Sequence, residues 1–234
     1  MSTPALSAPH ARAAAFVPAP RVHRALTAAL ERRALVWLAE RAPRWVTSDG
    51  LTALGLAAQV AAGVGYACAR QHRWALTLVN VCVVLNWLGD SLDGTLARVR
   101  AQQRPRYGYY VDHVVDVLGA TALMCGLGCS GAVHWPVALA MLIAFLLLSA
   151  ESYLATYTLG RFELSQGPFG PTEIRLLLIT GNFALLRSPY AHVWGHRMLL
   201  FDLGGVIAAV CMAGMLTVLT MRHTAELYRA EPLP

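Results

Sequence analysis

Charge is scarce in this sequence, and lysine does not occur in it at all. Charged residues fill 14% of the 234 positions, hydrophobic residues fill 56%, and the mean hydropathy is +0.49. These values exclude an ordinary soluble domain and, with repeated apolar runs, predict an all-α integral membrane protein. The net charge of +6 rests on 19 arginines. In membrane proteins arginine typically marks cytoplasmic helix ends, so we do not expect nucleic-acid binding.

Paired cysteines are also lacking. Five cysteines lie inside apolar runs, and none has the CxxC spacing of a zinc or redox site: Cys68, Cys82, Cys125, Cys129 and Cys211. We interpret them as small core residues.

The N-terminal region lacks the long apolar core of a signal peptide. Residues 1–20 are rich in alanine and proline, which predicts a disordered tail. Residues 21–43 predict an amphipathic helix on the membrane surface, ended by Pro43, with a solvent-exposed helix as the alternative. Its apolar positions are Leu26, Ala29, Leu30, Leu35, Leu38 and Ala39, and its basic positions are Arg24, Arg32, Arg33 and Arg41.

Six apolar segments follow, and they predict a membrane domain of six transmembrane helices over residues 44–234. The segments are 50–69, 74–97, 108–129, 136–159, 172–187 and 198–221. At about 1.5 Å per residue, most of them can cross a hydrocarbon core of about 30 Å. The fifth segment is the shortest.

The arginines predict the orientation of these spans. Six spans place both termini on one side, which carries 15 arginines, whereas the other side carries four. The termini and the 98–106 loop should therefore face the cytoplasm, and the membrane is expected to be the inner (plasma) membrane.

Four aspartates stand where the second span ends and the third begins, in the stretch GDSLDGTLARVRAQQRPRYGYYVDHVVD. Asp90 and Asp93 are three residues apart, and Asp112 and Asp116 are four apart, so each pair projects from one helix face. Close carboxylates repel one another unless cations balance them. Oxygen ligands without clustered His or Cys predict Mg²⁺ or Mn²⁺, with Ca²⁺ less favoured, and two ions can share such a site.

The alternative for these aspartates is ion pairing with the arginines of the following loop: Arg98, Arg100, Arg104 and Arg106. The small residues nearby favour the metal site. Gly94, Ala97 and Gly108 leave room for a ligand beside the acids, and Arg98 offers a planar fork for phosphate oxygens. Asn86, one turn before Asp90, is interpreted as an interhelical hydrogen bond in preference to a support for the metal ligands.

These residues form the pattern D-x2-D-G-x2-A-R-x9-G-x3-D-x3-D over residues 90–116. The pattern resembles the signature of the CDP-alcohol phosphotransferases at every fixed position. The resemblance implies a six-helix core, usually a homodimer, with a two-metal site that displaces CMP from a CDP-linked donor. It assigns metal binding to Asp90, Asp93 and Asp112, either metal binding or a base role to Asp116, and the CDP pocket to Gly94, Ala97, Arg98 and Gly108.

Two further residues bear on the substrate. His113 and Glu173 resemble residues near the acceptor hydroxyl in the choline and ethanolamine phosphotransferase branch, whose donors are CDP-choline or CDP-ethanolamine and whose acceptor is diacylglycerol. His113 as a packed polar residue, and Glu173 as a helix N-terminal carboxylate, are equally supported. The rival is a CDP-diacylglycerol donor with a soluble alcohol. Only Arg161 and Arg175 are obvious cations for an anionic acceptor, and we favour a simple flanking role for Arg175.

Other classes fit less well. A cation or proton transporter would explain carboxylates in spans, but it would not explain the accompanying glycines and arginine. A membrane prenyltransferase also uses aspartates for a pyrophosphate donor, yet its usual pattern and larger helix count do not match. Because no nucleophilic Ser or Cys motif lies near the acids, single displacement is favoured over a covalent intermediate.

Overall fold

The structure is a computed structural model that describes residues 28–160, 171–193 and 195–231. The predicted tail at 1–20, residues 21–27 of the predicted surface helix, and Arg161 lie outside the described residues. The division of the chain into tail, surface helix and membrane domain therefore stays a prediction.

Helices make up almost all of the described chain. They are α1 (Ala28–Arg41), α2 (Ser48–Ala69), α3 (Ala75–Val99), α4 (Pro105–Cys129), α5 (Trp135–Leu159), α6 (Pro171–Arg187) and α7 (Leu200–Ala230). Five of them, α2, α3, α4, α5 and α7, are long and apolar enough to cross a membrane. The prediction of a helical integral membrane protein is thus confirmed. The sixth span stays a prediction, because the described α6 has 17 residues.

Local sequence signals explain several helix ends. Thr47 begins α2, since its hydroxyl accepts a hydrogen bond of 3.1 Å from the backbone N–H of Gly50. Proline stands in the first turn of α4 at Pro105 and of α5 at Pro136, where it costs no intrahelical hydrogen bond. Gly160 ends α5 with a positive φ of 66°.

Glycine lets α2 and α3 pack backbone to backbone. A Cβ added at Gly89 would lie 2.6 Å from the carbonyl oxygen of Leu51 and 2.7 Å from the backbone nitrogen of Gly55. Further along α2, the Tyr66 hydroxyl donates to Asn182 of α6 at 2.8 Å, and the Asn182 amide donates to Asn80 of α3 at 2.7 Å. These buried bonds hold α6 against the pair formed by α2 and α3.

Part of the predicted apolar face of α1 packs against α2 and α3. Leu35 and Ala39 are buried, and they form one cluster with Leu51 of α2 and with Leu92 and Leu96 of α3. The helix ends at Arg41, close to the predicted end at Pro43. Its placement on a membrane surface stays a prediction.

A short hairpin between α6 and α7 was not predicted. Strands β1 (Tyr190–Val193) and β2 (His196–Leu199) pair antiparallel, with Tyr190 opposite Leu199 and Val193 opposite His196. A turn containing Gly195, which has a positive φ of 81°, joins the strands. The hairpin takes up the start of the predicted 198–221 segment, and α7 continues past its predicted end to Ala230.

Candidate active site

Three aspartates from two helices form a compact cluster. Asp90 lies in the second half of α3, and Asp112 and Asp116 lie one turn apart near the start of α4. One carboxylate oxygen of each lies within 4.8 Å of the other two, and all three side chains are partly buried. Three negative charges at this separation repel strongly, and their oxygen donors are of the kind that Mg²⁺ and Mn²⁺ prefer. The residues present therefore fit a divalent metal.

Asp93, the fourth predicted ligand, faces a different neighbour. Its side chain accepts a hydrogen bond of 2.5 Å from the Thr52 hydroxyl of α2 and another of 2.5 Å from the backbone N–H of Gly94. The hydroxyl of Ser48 donates to its carbonyl oxygen at 3.0 Å. Asp93 is buried but is not a member of the three-carboxylate cluster. Its role as a metal ligand stays a prediction.

Arg175 of α6 lies against the cluster, a contact that the flanking role did not predict. Its guanidinium donates to Asp90 Oδ2 at 2.5 Å and to Asn86 Oδ1 at 2.9 Å, and its side chain is 16% exposed. A cation near a helix N-terminus is disfavoured by the helix dipole, so its position was a usable sign of a nearby negative charge. Arg175 therefore places a positive charge beside Asp90.

Asn86 makes an interhelical hydrogen bond and also supports a residue at the cluster, so it combines the two roles considered from the sequence. Its amide nitrogen donates to the Gly55 carbonyl of α2 at 3.0 Å and to Gln59 Oε1 at 3.2 Å. Its oxygen accepts the bond from Arg175 described above. Asn86 therefore makes an interhelical hydrogen bond and also orients Arg175, the partner of Asp90.

His113 lies next to the cluster in a buried aromatic setting. Its ring stacks on Tyr109 with centroids 4.0 Å apart, and it meets the edge of Tyr153 of α5 at 4.6 Å. Its Nδ1 is 2.7 Å from the Tyr109 carbonyl and 3.8 Å from Asp112 Oδ2. Since a carbonyl only accepts, Nδ1 carries the proton, and in a neutral ring Nε2 is the acceptor nitrogen. This geometry satisfies the packing interpretation and leaves the catalytic one untested.

Glu173 is buried in the first turn of α6, two residues before Arg175. A carboxylate there suits the helix dipole. The same turn carries Arg175 to the aspartate cluster, so Glu173 belongs to the helix end that borders the candidate site. Both interpretations of Glu173 stay open.

The predicted donor pocket shows open space at its glycines. A Cβ at Gly108 would meet nothing within 4 Å, and one at Gly94 would meet only the Arg98 guanidinium at 3.6 Å. Neither glycine is therefore required by packing, in contrast to Gly89. Arg98 is exposed and donates to the Thr95 hydroxyl at 2.9 Å, and Ala97 is partly buried. Small residues beside open space allow a ligand to approach the backbone closely.

Two of the loop arginines are used elsewhere, which weakens the ion-pair alternative for the aspartates. Arg100 donates to the carbonyl oxygens of Val46 at 2.5 Å and of Ala42 at 3.0 Å, in the turn between α1 and α2. Arg104 pairs with Asp49 at the start of α2. These side chains fasten the loop between α3 and α4 to the preceding helices.

A helical membrane protein with clustered carboxylates, open glycines and an exposed arginine has the parts of an enzyme that binds a phosphate-bearing substrate with a metal. Residues 45–220 match the CDP-alcohol phosphatidyltransferase family, and the chain belongs to this family. The protein is thus a membrane transferase of substituted phosphate groups in phospholipid biosynthesis. No curated protein matches the chain.

Proposed function

We propose that the protein transfers a phospho-alcohol group from a CDP-linked donor to an alcohol acceptor and releases CMP. The observation that carries the proposal is the cluster of Asp90, Asp112 and Asp116, whose oxygens lie within 4.8 Å of one another. We propose that the cluster holds Mg²⁺ or Mn²⁺, that two ions bind, and that Asp93 joins as a ligand. Such ions, held by these carboxylates, would neutralise pyrophosphate charge and stabilise the leaving phosphate.

The side chains around the cluster suit the CDP group. In the proposed complex the Arg98 guanidinium donates to phosphate oxygens. Gly94 and Gly108 let the nucleotide lie against the helix backbones, because the space beside Gly108 is open and only the Arg98 guanidinium lies beside Gly94. Ala97 would contribute the same lack of bulk on α3.

In the proposed reaction the acceptor hydroxyl attacks the phosphorus that bears the alcohol. The new bond joins the acceptor oxygen to phosphorus, the bond from phosphorus to the CMP oxygen breaks, and CMP departs with the electron pair. The hydroxyl proton passes to a carboxylate, for which Asp116 and Glu173 are the candidates. His113 would lie near the acceptor.

For the substrates we favour CDP-choline or CDP-ethanolamine with diacylglycerol. The support is the resemblance at His113 and Glu173. A second candidate is a CDP-diacylglycerol donor with a soluble alcohol. It is favoured by Arg175, since a guanidinium at the site would bind an anionic acceptor whenever Asp90 engages a metal.

A panel of donors distinguishes the two candidates. Purified protein with Mg²⁺ or Mn²⁺ would be given labelled CDP-choline or CDP-ethanolamine with diacylglycerol, and separately CDP-diacylglycerol with a set of alcohols. Phospholipid formed in the first arm supports the favoured substrates. CMP release in the second arm alone would refute them and keep the family chemistry. Ion flux in vesicles without CMP release would favour a transporter instead.

We further propose a homodimer in the inner membrane with the site facing the cytoplasm. The dimer is proposed from the family resemblance. The orientation is supported by the arginine distribution, which places 15 of 19 arginines on the side of the aspartates. That side also gives access to cytosolic CDP-linked donors.

A further inference from the structure

A single carboxylate oxygen joins three helices beside the aspartate cluster. Glu31 lies in the first turn of α1, and its Oε1 accepts hydrogen bonds from the side chains of α3 and α6. The donors are Trp87 Nε1 at 2.9 Å, Ser91 Oγ at 3.3 Å and Thr172 Oγ1 at 2.9 Å. Because one oxygen accepts from donors on two other helices, it fixes the position of those helices relative to α1.

The donors are neighbours of site residues. Ser91 directly follows Asp90 on α3, and Thr172 directly precedes Glu173 on α6. A second side-chain tie between α3 and α6 at this level is the Arg175 bond to Asp90 and Asn86. An Asp90 carboxylate that binds metal has fewer lone pairs left for Arg175. The tie through Glu31 uses no cluster residue and does not compete with metal.

Docking of α1 does not require this hydrogen-bond set. Leu35 and Ala39 are buried at 7% and 3% exposure against α2 and α3, and this apolar cluster already fixes α1 on the bundle. Thr172 lies on α6, outside that cluster. The apolar cluster around Leu35 and Ala39 does not hold α6. The bond from Thr172 to Glu31 therefore fixes the position of the first turn of α6.

We propose that Glu31 is a positioning residue: it holds the N-terminal turn of α6, with Glu173 and Arg175, against α3 so that these side chains face the aspartate cluster. The N-terminal helix is thereby part of the active enzyme. The proposal rests on the proposed function in placing Glu173 and Arg175 at the reaction site.

The test uses the full chain in lipid nanodiscs and four variants. Glu31→Ala removes the accepting oxygen, whereas Glu31→Gln keeps one. Thr172→Val removes only the α6 donor with little change in shape, and it keeps the test valid if Glu31→Ala fails to fold. Glu40→Ala is the matched control, because Glu40 lies on the same helix with its side chain 58% exposed.

We expect Glu31→Ala and Thr172→Val to lower kcat about tenfold and to leave KM for the CDP donor nearly unchanged. Glu31→Gln should retain most of the wild-type kcat, and Glu40→Ala all of it. Hydrogen exchange followed by mass spectrometry should show faster exchange in the first two turns of α6 for Glu31→Ala and Thr172→Val alone.

Three results would overturn the positioning role. They are wild-type kcat in both Glu31→Ala and Thr172→Val, an equal loss in Glu31→Gln and Glu31→Ala, or unchanged exchange in α6 in both removal variants. The exchange measurement needs no substrate. If the wild type is inactive, the proposed function is refuted. Because exchange is measured without substrate, the exchange rates in α6 would still decide the role of Glu31.

Discussion

Alanine at Gly108 should leave the fold intact and damage donor use. A Cβ at this position meets nothing within 4 Å, so the protein itself has room for it. Gly108 is the fourth residue of α4, and alanine is favoured over glycine in a helix by up to about 1 kcal/mol. The variant should therefore unfold at the same temperature as the wild type or slightly above it. If the nucleotide lies against this glycine, the new methyl group displaces it, and a displacement of about 1 Å can cost ~100-fold in rate.

The matched control is Gly89→Ala, one residue before Asp90. Its Cβ would lie 2.6 Å from the Leu51 carbonyl oxygen and 2.8 Å from Gly55 Cα, which are backbone atoms that cannot turn away. Such overpacking typically costs about 1–3 kcal/mol, and the unfolding temperature should fall. The assay is kcat/KM for the CDP donor beside thermal unfolding in the same detergent. A Gly108→Ala enzyme with wild-type kcat/KM would refute the placement of the nucleotide at α4.

Three further predictions address the acids and the topology. Asp112→Asn and Asp93→Asn should each lower CMP release by orders of magnitude with the fold retained, and near-normal turnover of either in saturating Mg²⁺ or Mn²⁺ would contradict its ligand role. Glu173→Gln should reduce kcat more than it weakens donor binding. A change in KM with an unchanged kcat would contradict a catalytic role and leave Glu173 as a helix N-terminal carboxylate. Labelling of introduced tags should place both termini and the 98–106 loop in the cytoplasm, and labelling from outside would reverse the orientation.

The helices, and the meeting of Asp90 with Asp112 and Asp116, could be predicted from the sequence. Apolar length defines a span, and spacings of three and four residues put Asp90 with Asp93, and Asp112 with Asp116, on one helix face each. The closeness of Asp90 on α3 to Asp112 and Asp116 on α4 is consistent with the short loop that joins the two helices. These are local rules, and they need no knowledge of the rest of the fold.

Contacts between distant segments could not be predicted. Arg175 reaches Asp90 across 85 residues of sequence, and Thr172 reaches Glu31 across 141. Both depend on the rotation of α6 about its axis, which buried side chains such as Asn182 determine and which apolar periodicity does not specify. Asp93 illustrates the same limit, because only the packing of α2 shows that Thr52 competes for its carboxylate. The hairpin was missed because its strands have four residues each, too few for a clear alternation.

The central claim is that the aspartate cluster holds metal for the release of CMP from a CDP-linked donor. The most direct test is CMP release by the purified protein across a panel of CDP donors and acceptors, before and after chelation of divalent ions. We predict release with Mg²⁺ or Mn²⁺, its loss on chelation, its return when the ion is restored, and no release by Asp112→Asn. Release that persists without divalent ions, or that Asp112→Asn supports at the wild-type rate, would contradict the account.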